Sequence, residues 1–506
     1  MSDIPKVLPE DKYNAELVAN VHPSDWENPE PASLYNLVVI GAGTAGLVSA
    51  VGAAGLGAKV ALIERHLLGG DCLNYGCVPS KCIIRSSRVV AEARDAGRFG
   101  VRVSGEVEVD FPAVMERMRK LRAGISHNDA VSRCKELGVD VFLGDGRFSS
   151  PTSVEVEGKT LNFKKAVIAT GARAVHLPIE GLAEAGYLTN ETIFSLAERP
   201  KRLAIIGAGP IGSEMAQTFQ RLGCEVSILD MGEHILMRED SDAAEVVQAA
   251  FIRDGIDLIF EAQIKRVEQK NGEKLIHFGR NRKDETIAID EILVGVGRAP
   301  NVDGMGLEAA GVEYDSRKGV LVDDHLQTAN HRVYAAGDAC MRFKFTHTAD
   351  AAARIVIQNA LFLGRKKLSA LTVPWCTYTD PEIAHVGMYE HDAEERGIPV
   401  ETFVKSMSEV DRAVADGEED GIAKVHVRKG TDKILGATIV ARHAGEMISE
   451  ITLAIVADIG LRTISEVIHP YPTQAEIIKK IADDYNRTRL TPLAEKLIHR
   501  WLGKGK

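Results

Sequence analysis

Cys72 and Cys77 stand with four residues between them in the string Gly69-Gly70-Asp71-Cys72-Leu73-Asn74-Tyr75-Gly76-Cys77-Val78-Pro79-Ser80-Lys81. Such a pair serves either as a structural or metal-holding couple or as a redox dithiol. Zinc normally takes C-x₂-C with two further ligands close by, and none stand here. A disulfide needs Cα atoms roughly 4.4–6.8 Å apart, whereas residues five apart in a regular α-helix are roughly 8–9 Å apart. The pair therefore closes only where the turn is distorted, and Gly76 is where distortion costs least. A position near a helix N-terminus lowers a thiol pKa and supplies thiolate near neutral pH. The redox reading is the sharper one.

The flanking elements say what such a dithiol would exchange electrons with. An apolar strand, Leu37–Ile40, runs into Gly41, Gly43, Thr44 and Gly46, then a small-residue helix and a second strand ending at Glu64. The pattern returns: Leu203–Ile206, then Gly207, Gly209, Ile211 and Gly212, a helix, and a strand ending at Asp230. First glycine and acid are 23 residues apart in both copies. The first glycine permits the tight turn, the second lets backbone approach a pyrophosphate, and the third allows close helix–strand contact. Phosphate meets the positive helix end while the acid accepts from a ribose. Two dinucleotides are expected in one chain.

Between and beyond the two units, residues 80–99 and 111–137 have helical periodicity and 139–170 a turn-rich strand pattern. Strand alternation runs over 258–296, with Asn271-Gly272 as a hairpin turn. After Val373 the pattern changes: 378–387, 401–411 and 422–440 read as strands, 446–459 and 474–487 as helices. The expected architecture is α/β, two Rossmann-like dinucleotide domains and a C-terminal α+β domain. Its expected divisions are an N-terminal extension (1–33), a first FAD-type segment (34–185), a nicotinamide-type domain (186–308), a second FAD-type segment (309–371) and a dimerisation domain (372–506). The extension is polar and proline-punctuated and reads as a surface segment anchored by Trp26.

The totals exclude several classes. The 506 residues carry 61 Lys and Arg against 72 Asp and Glu, a net charge of −11, which removes nucleic acid as a partner. Seven cysteines are too few for a disulfide-stapled secreted scaffold. The N-terminus has no apolar core segment of a signal peptide. The uncharged run Leu34–Ala58 carries six glycines and is explained by the first βαβ unit. These features predict a cytoplasmic protein without a membrane partner. Cys82, Cys134, Cys224, Cys340 and Cys376 read as small buried hydrophobes.

The string from Gly69 to Lys81 resembles the active-site signature of the FAD-dependent pyridine nucleotide–disulfide oxidoreductases, which include dihydrolipoyl dehydrogenase, glutathione reductase and mercuric reductase. The resemblance covers residues 34 to about 490. Supporting motifs are Ala169-Thr170-Gly171, Gly295-Val296-Gly297-Arg298-Ala299-Pro300-Asn301, Ala336-Gly337-Asp338, Tyr378-Thr379-Asp380-Pro381-Glu382 and His469-Pro470-Tyr471-Pro472-Thr473-Gln474-Ala475-Glu476. It implies FAD on the first loop, with Gly70 and Gly146 beside it, Glu64 on the ribose and Asp338 on the ribityl chain. Phe345, Thr346 and His347 would lie near the flavin pyrimidine edge. Cys77 would be the flavin-side thiol and Cys72 the outer interchange thiol. Lys81 would stand near flavin N5, paired with Glu214. The second loop would bind the nicotinamide coenzyme, with NAD(H) preferred over NADP(H) because Asp230 repels a 2′-phosphate and no arginine follows it. No metal cofactor is implied.

One position departs from the disulfide-reducing relatives. Where a histidine precedes Pro-Thr there and, reaching from the other subunit, acts as acid–base partner of the outer thiol, this chain has Tyr471, with Glu476 five residues on and His469 two before. Mercuric reductase is similar in having tyrosine there, yet this chain ends without a vicinal cysteine pair and residues 1–33 hold no cysteine. The resemblance implies a homodimeric reductase passing electrons from NAD(P)H through FAD and Cys72–Cys77 to a small disulfide or a thiophilic metal ion. The alternative is a dihydrolipoyl dehydrogenase with His469 as the base, and a remote one is a non-catalytic redox sensor.

Overall fold

The computed structural model describes residues 5–503, so residues 1–4 of the predicted extension lie outside it. The chain divides into two compact units. The first runs to Gly207 and takes in Thr218–Met231 and Glu261–Leu371, and the second holds Ala208–Gln217, Gly232–Phe260 and the chain from Thr372. The segment 186–308 contributes to both.

In the first unit, the strand Tyr35–Ile40 lies between Val60–Glu64 and Lys159–Ile168, all parallel, with Val39 opposite Leu62 and Val167. Val139–Leu143 extends the sheet beyond Val60–Glu64, and Val333–Ala335 pairs with the far side of Lys159–Ile168. Leu37, Val38 and Val39 are fully buried, as continuous apolar runs in a sheet covered on both faces must be. The carboxyl ends of these strands carry the first glycine loop, the usual ligand side of such a sheet. A second parallel set, Glu225–Leu229, Arg202–Ile206 and Glu291–Val294, carries the second. Asn271 and Gly272 have φ of 54° and 85° and close the hairpin between Lys270 and Glu273.

The N-terminal segment is not a surface extension. Asp11 caps a helix, Lys12–Val21, whose Leu17 and Val21 are fully buried in the core of the first unit. The anchor is wider than Trp26, whose Nε1 donates to the Val141 carbonyl at 3.2 Å. Arg119 reaches Asp11 at 2.5 Å. Arg122 donates to Asn14 Oδ1 and to the Asn74 carbonyl, each at 2.7 Å. That buried guanidinium needs both acceptors, so the prolines that suggested a loose segment only frame a docked helix.

In the second unit, five antiparallel strands run in the order Pro374–Thr377, Glu382–Gly387, Ile434–Ala441, Ile422–Arg428, Val400–Ser406. Ala444–Val456 and Glu476–Thr488 pack their apolar faces on it. Two predicted strands are shorter than the pattern suggested. Tyr378–Pro381 is a turn ahead of Glu382, and Val400–Ser406 stops where the Ser406 hydroxyl accepts from Ser408 N. The sequence reading did not anticipate the helix Pro492–Leu502.

His385 and His426 in these strands are almost fully buried, and burial pushes their pKa values down to about 3 and about 4. Both are neutral when folded but take up a proton near 6.5 when unfolded. Their contribution is therefore fully present above pH 6.5 and is lost as pH falls from there towards 4. At pH 5 each costs about 2 kcal/mol. Urea midpoints followed by circular dichroism should fall on going from about pH 7.5 to pH 5, and His385→Gln should flatten that slope. An unchanged midpoint would contradict the assignment.

Candidate active site

The chain around the two cysteines makes a short helix and then a long one instead of one continuous helix. Gly70–Asn74 ends at Tyr75, and Cys77–Asp95 begins again with Gly76 as its N-cap. A Cβ on Gly76 would lie 2.9 Å from the Asp71 carbonyl oxygen, so the fold keeps glycine at the break. Breaking the helix brings the two sulfurs, otherwise a turn and a half apart, within hydrogen-bonding reach. Cys72 is half-buried and Cys77 exposed. The Cys72 thiol is pushed far above its ordinary value by its hydrogen bond to Cys77, then by burial, while the Thr346 hydroxyl pulls the other way. Thr346 Oγ1 also lies 3.4 Å from Cys77 Sγ, so one hydroxyl touches both sulfurs.

Gly43 caps the helix Thr44–Gly55, whose N-terminus has no side-chain cap, so its first N–H groups present themselves to an anion. Crowding fixes the glycines. A Cβ on Gly46 would overlap the Gly41 carbonyl, one on Gly41 would strike Ala169 and Thr170 backbone, and one on Gly70 would come 2.7 Å from Gly43 Cα. The dithiol helix thus presses directly on the loop. Glu64 accepts from Ala42 N at 2.7 Å and His66 N at 2.8 Å, and burial raises its pKa against those bonds. Thr170 and Asn301 exchange hydrogen bonds, with Asn301 N donating to Gly171 O. Gly146 faces Ile63 and Ile40, Gly337 faces Ala45, and Gly297 has φ of 123°. Asp338 is raised by burial and lies 3.6 Å from Arg298 Nε, and Arg298 also donates to Asp71 beside Cys72. Arg298 was visible only as part of its motif. Its double hold on the dithiol helix and Asp338 was not. Thr346 opens the 16-residue helix Thr346–Leu361, with the Phe345 and His347 rings stacked at 5.3 Å. The tight glycine cradle, the uncapped helix end and the inward acid suit a dinucleotide, and these residues fit FAD.

Lys81 lies one turn after Cys77. A groove of about 400 Å³ beside Cys77 is lined by Lys81, Cys82, Arg85, Arg117 and Leu121. Cys82 is therefore not a buried filler as expected, and Cys340 and Cys376 are also only half-buried, whereas Cys134 and Cys224 are buried. The three cations give this groove a positive field that favours thiolate and other anionic sulfur ligands.

Of the second loop, Gly207 has φ of 104° and abuts Gly295, and Asp230 directly follows the strand Glu225–Leu229 in the first unit. Gly209, Ile211, Gly212 and Glu214 belong to the second unit, where Glu214 Oε1 accepts from Tyr378 N at 3.0 Å. His469 does not stand open as a base. Its Nε2 lies 3.0 Å from Glu450 and its side chain is 6% exposed. Tyr471 is 72% exposed, with its hydroxyl donating to Asp411 Oδ2 at 2.9 Å, a bond that raises the phenol pKa. Glu476 keeps one carboxylate oxygen buried without a hydrogen-bond partner. Asp411 and Glu450 had no sequence signal, since nothing in the spacing ties them to residues 60 and 19 positions later.

The chain is similar to known proteins along most of its length. The pyridine nucleotide-disulphide oxidoreductase family matches residues 35–353 and its dimerisation domain residues 373–482. The mercuric reductase of Lysinibacillus sphaericus is 36% identical over 90% of this chain and 83% of its own length. The dihydrolipoyl dehydrogenase of Chlamydia muridarum is 34% identical over 88% and 95%. The structure of the HOCl-induced flavoprotein disulfide reductase RclA of Escherichia coli superposes with a TM-score of 0.80 at 27% identity, over 89% of this chain and 99% of that one. These matches run along nearly the whole length, and the chain belongs to the pyridine nucleotide-disulphide oxidoreductases as an FAD-containing flavoprotein disulfide reductase.

Proposed function

We propose that this enzyme is an NADH-dependent reductase of a thiophilic metal ion held by Cys72 and Cys77, with a small disulfide as the second acceptor class. Tyr471 carries this reading. A dithiol substrate must lose protons on oxidation and a disulfide substrate must gain them on reduction, and a phenol hydrogen-bonded to Asp411 is a poor proton acceptor near neutral pH. A soft divalent ion requires no such proton transfer, only two electrons and thiolate ligands. The dihydrolipoyl dehydrogenase alternative would take His469 as its base, and that side chain is 6% exposed with its Nε2 on Glu450. The relatives named mercuric reductase support the metal reading, and those named dihydrolipoyl dehydrogenase the alternative.

In this reading Gly41, Gly43, Gly46 and Glu64 hold FAD, which supplies the two-electron relay between nicotinamide and sulfur. Thr346 fixes the two sulfurs, and Lys81, Arg85 and Arg117 draw the thiol-bound ion to them. The dimerisation domain makes the working form a homodimer, the cytoplasm its compartment, and residues 1–33, 34–185, 186–308, 309–371 and 372–506 its segments.

NADH oxidation driven by Hg²⁺ in excess thiol, measured beside lipoamide reduction, tests this. The metal ion should be turned over faster than lipoamide. Faster lipoamide turnover would reverse the assignment. The coenzyme choice is tested in the same assay. Asp230 at the strand end accepts ribose hydroxyls and repels a 2′-phosphate, so kcat/KM should favour NADH over NADPH by about tenfold or more, and Asp230→Ala should narrow the ratio.

A further inference from the structure

The helix Pro492–Leu502 lies beyond the family match, which ends at residue 482. The Thr491 hydroxyl caps it, accepting from Ala494 N, and none of its residues is buried. At about 100° per residue, Leu493, Leu497, Ile498, Trp501 and Leu502 fall on one half of its circumference and Glu495, Lys496, His499 and Arg500 on the other. Trp501 is 82% exposed, Leu502 72% and Leu493 70%. Contiguous apolar surface of this kind marks a contact site.

Charge identifies the cover. Residues 487–506 carry six Lys and Arg against one Glu, while the rest of the chain amounts to −16 within the total of −11. A helix with Trp and Leu on one half and Lys and Arg on the other matches the headgroup boundary of a bilayer. An anionic surface attracts this end and repels the remainder, which fixes the orientation.

We infer that Pro492–Leu502 seats the protein on an anionic lipid surface, lying flat with its apolar half among the acyl-chain boundary and Lys496 and Arg500 at the phosphates. This revises the expectation of no membrane partner, which considered spanning segments alone. Among the described residues no helix is long and apolar enough to cross a membrane, and a flat-lying helix needs no such length.

The holoenzyme is mixed with vesicles of phosphatidylcholine alone and with phosphatidylglycerol added, at low and high salt. It should sediment with the anionic vesicles at low salt only. Its emission should shift to the blue, and Trp501→Phe should remove that shift, because Trp26 and Trp375 are packed against neighbours. The pair Lys496→Glu with Arg500→Glu, and separately Leu497→Ser with Trp501→Ser, should each weaken binding by about tenfold or more while leaving NADH oxidation unchanged. Absence of sedimentation with anionic vesicles, or sedimentation indifferent to both pairs, overturns the inference. So does a lower oligomeric mass of the Leu497→Ser, Trp501→Ser variant without lipid, which would make a second copy of this chain the cover.

Discussion

Cys72→Ser should cost about 10⁴-fold or more in disulfide turnover while retaining the long-wavelength absorbance of the two-electron-reduced protein. Cys77→Ser should lose both. The difference follows from how the two sulfurs are held. Hydrogen bonding to Cys77 and burial push the Cys72 pKa up, so of the reduced pair Cys72 keeps the proton and the thiolate resides on Cys77. That thiolate sits at the first position of a 19-residue helix, where the dipole favours negative charge. It also contacts Thr346, which places it on the side proposed for the flavin. In turnover, Cys72 hands its proton to Cys77 and attacks one substrate sulfur, and the other departs and takes that proton from Cys77 as a thiol. Cys77 then attacks Cys72, releases the second thiol and leaves the protein disulfide, so two electrons pass from protein to substrate. Serine at 72 removes the attacking sulfur without touching the thiolate that absorbs. Anaerobic titration with NADH followed in the visible range, alongside steady-state assays, checks both substitutions. Identical spectra for the two variants would contradict the assignment.

Gly46→Ala should give protein that purifies largely without FAD. An added Cβ would overlap the Gly41 carbonyl, and its carbon would be 2.8 Å away. Neither atom is the movable end of a side chain, so the loop backbone must shift. Overpacking against backbone costs about 3 kcal/mol, which is more than a hundredfold in the FAD dissociation constant. Because Gly70 rests on Gly43, the same displacement should disturb the spacing of the dithiol. Added FAD should restore only part of the absorbance at saturation. A fully yellow variant with unchanged turnover would show that the loop relaxes more easily than its contacts indicate. Gly55→Ala, with open space around it, is the control and should leave both quantities unchanged.

What the sequence revealed was local. Gly41, Gly43 and Gly46 announced their loop because the close approach of backbone to backbone is written in residue types at fixed spacing. Gly76 announced the break between the cysteines for the same reason. Asn271-Gly272 announced its hairpin because both positions need positive φ. What escaped depends on residues that meet only after folding. Lys12–Val21 carried a cap at Asp11 and apolar residues at helical spacing, yet its burial depends on Arg119 and Arg122, more than a hundred positions later. The roles open to His469 and Tyr471 are decided by Glu450 and Asp411, and no periodicity links those pairs. Cys82 looked like a filler because only the groove between two helices shows its second face.

Arg122 has a practical consequence. Its guanidinium is shared between Asn14 near the start of the chain and the Asn74 carbonyl just beneath the reactive turn. Trimming the proline-marked leader to obtain a tidier crystallisation fragment would strand a cation under the sulfurs, and the damage would be read as a catalytic defect although every catalytic side chain was still present.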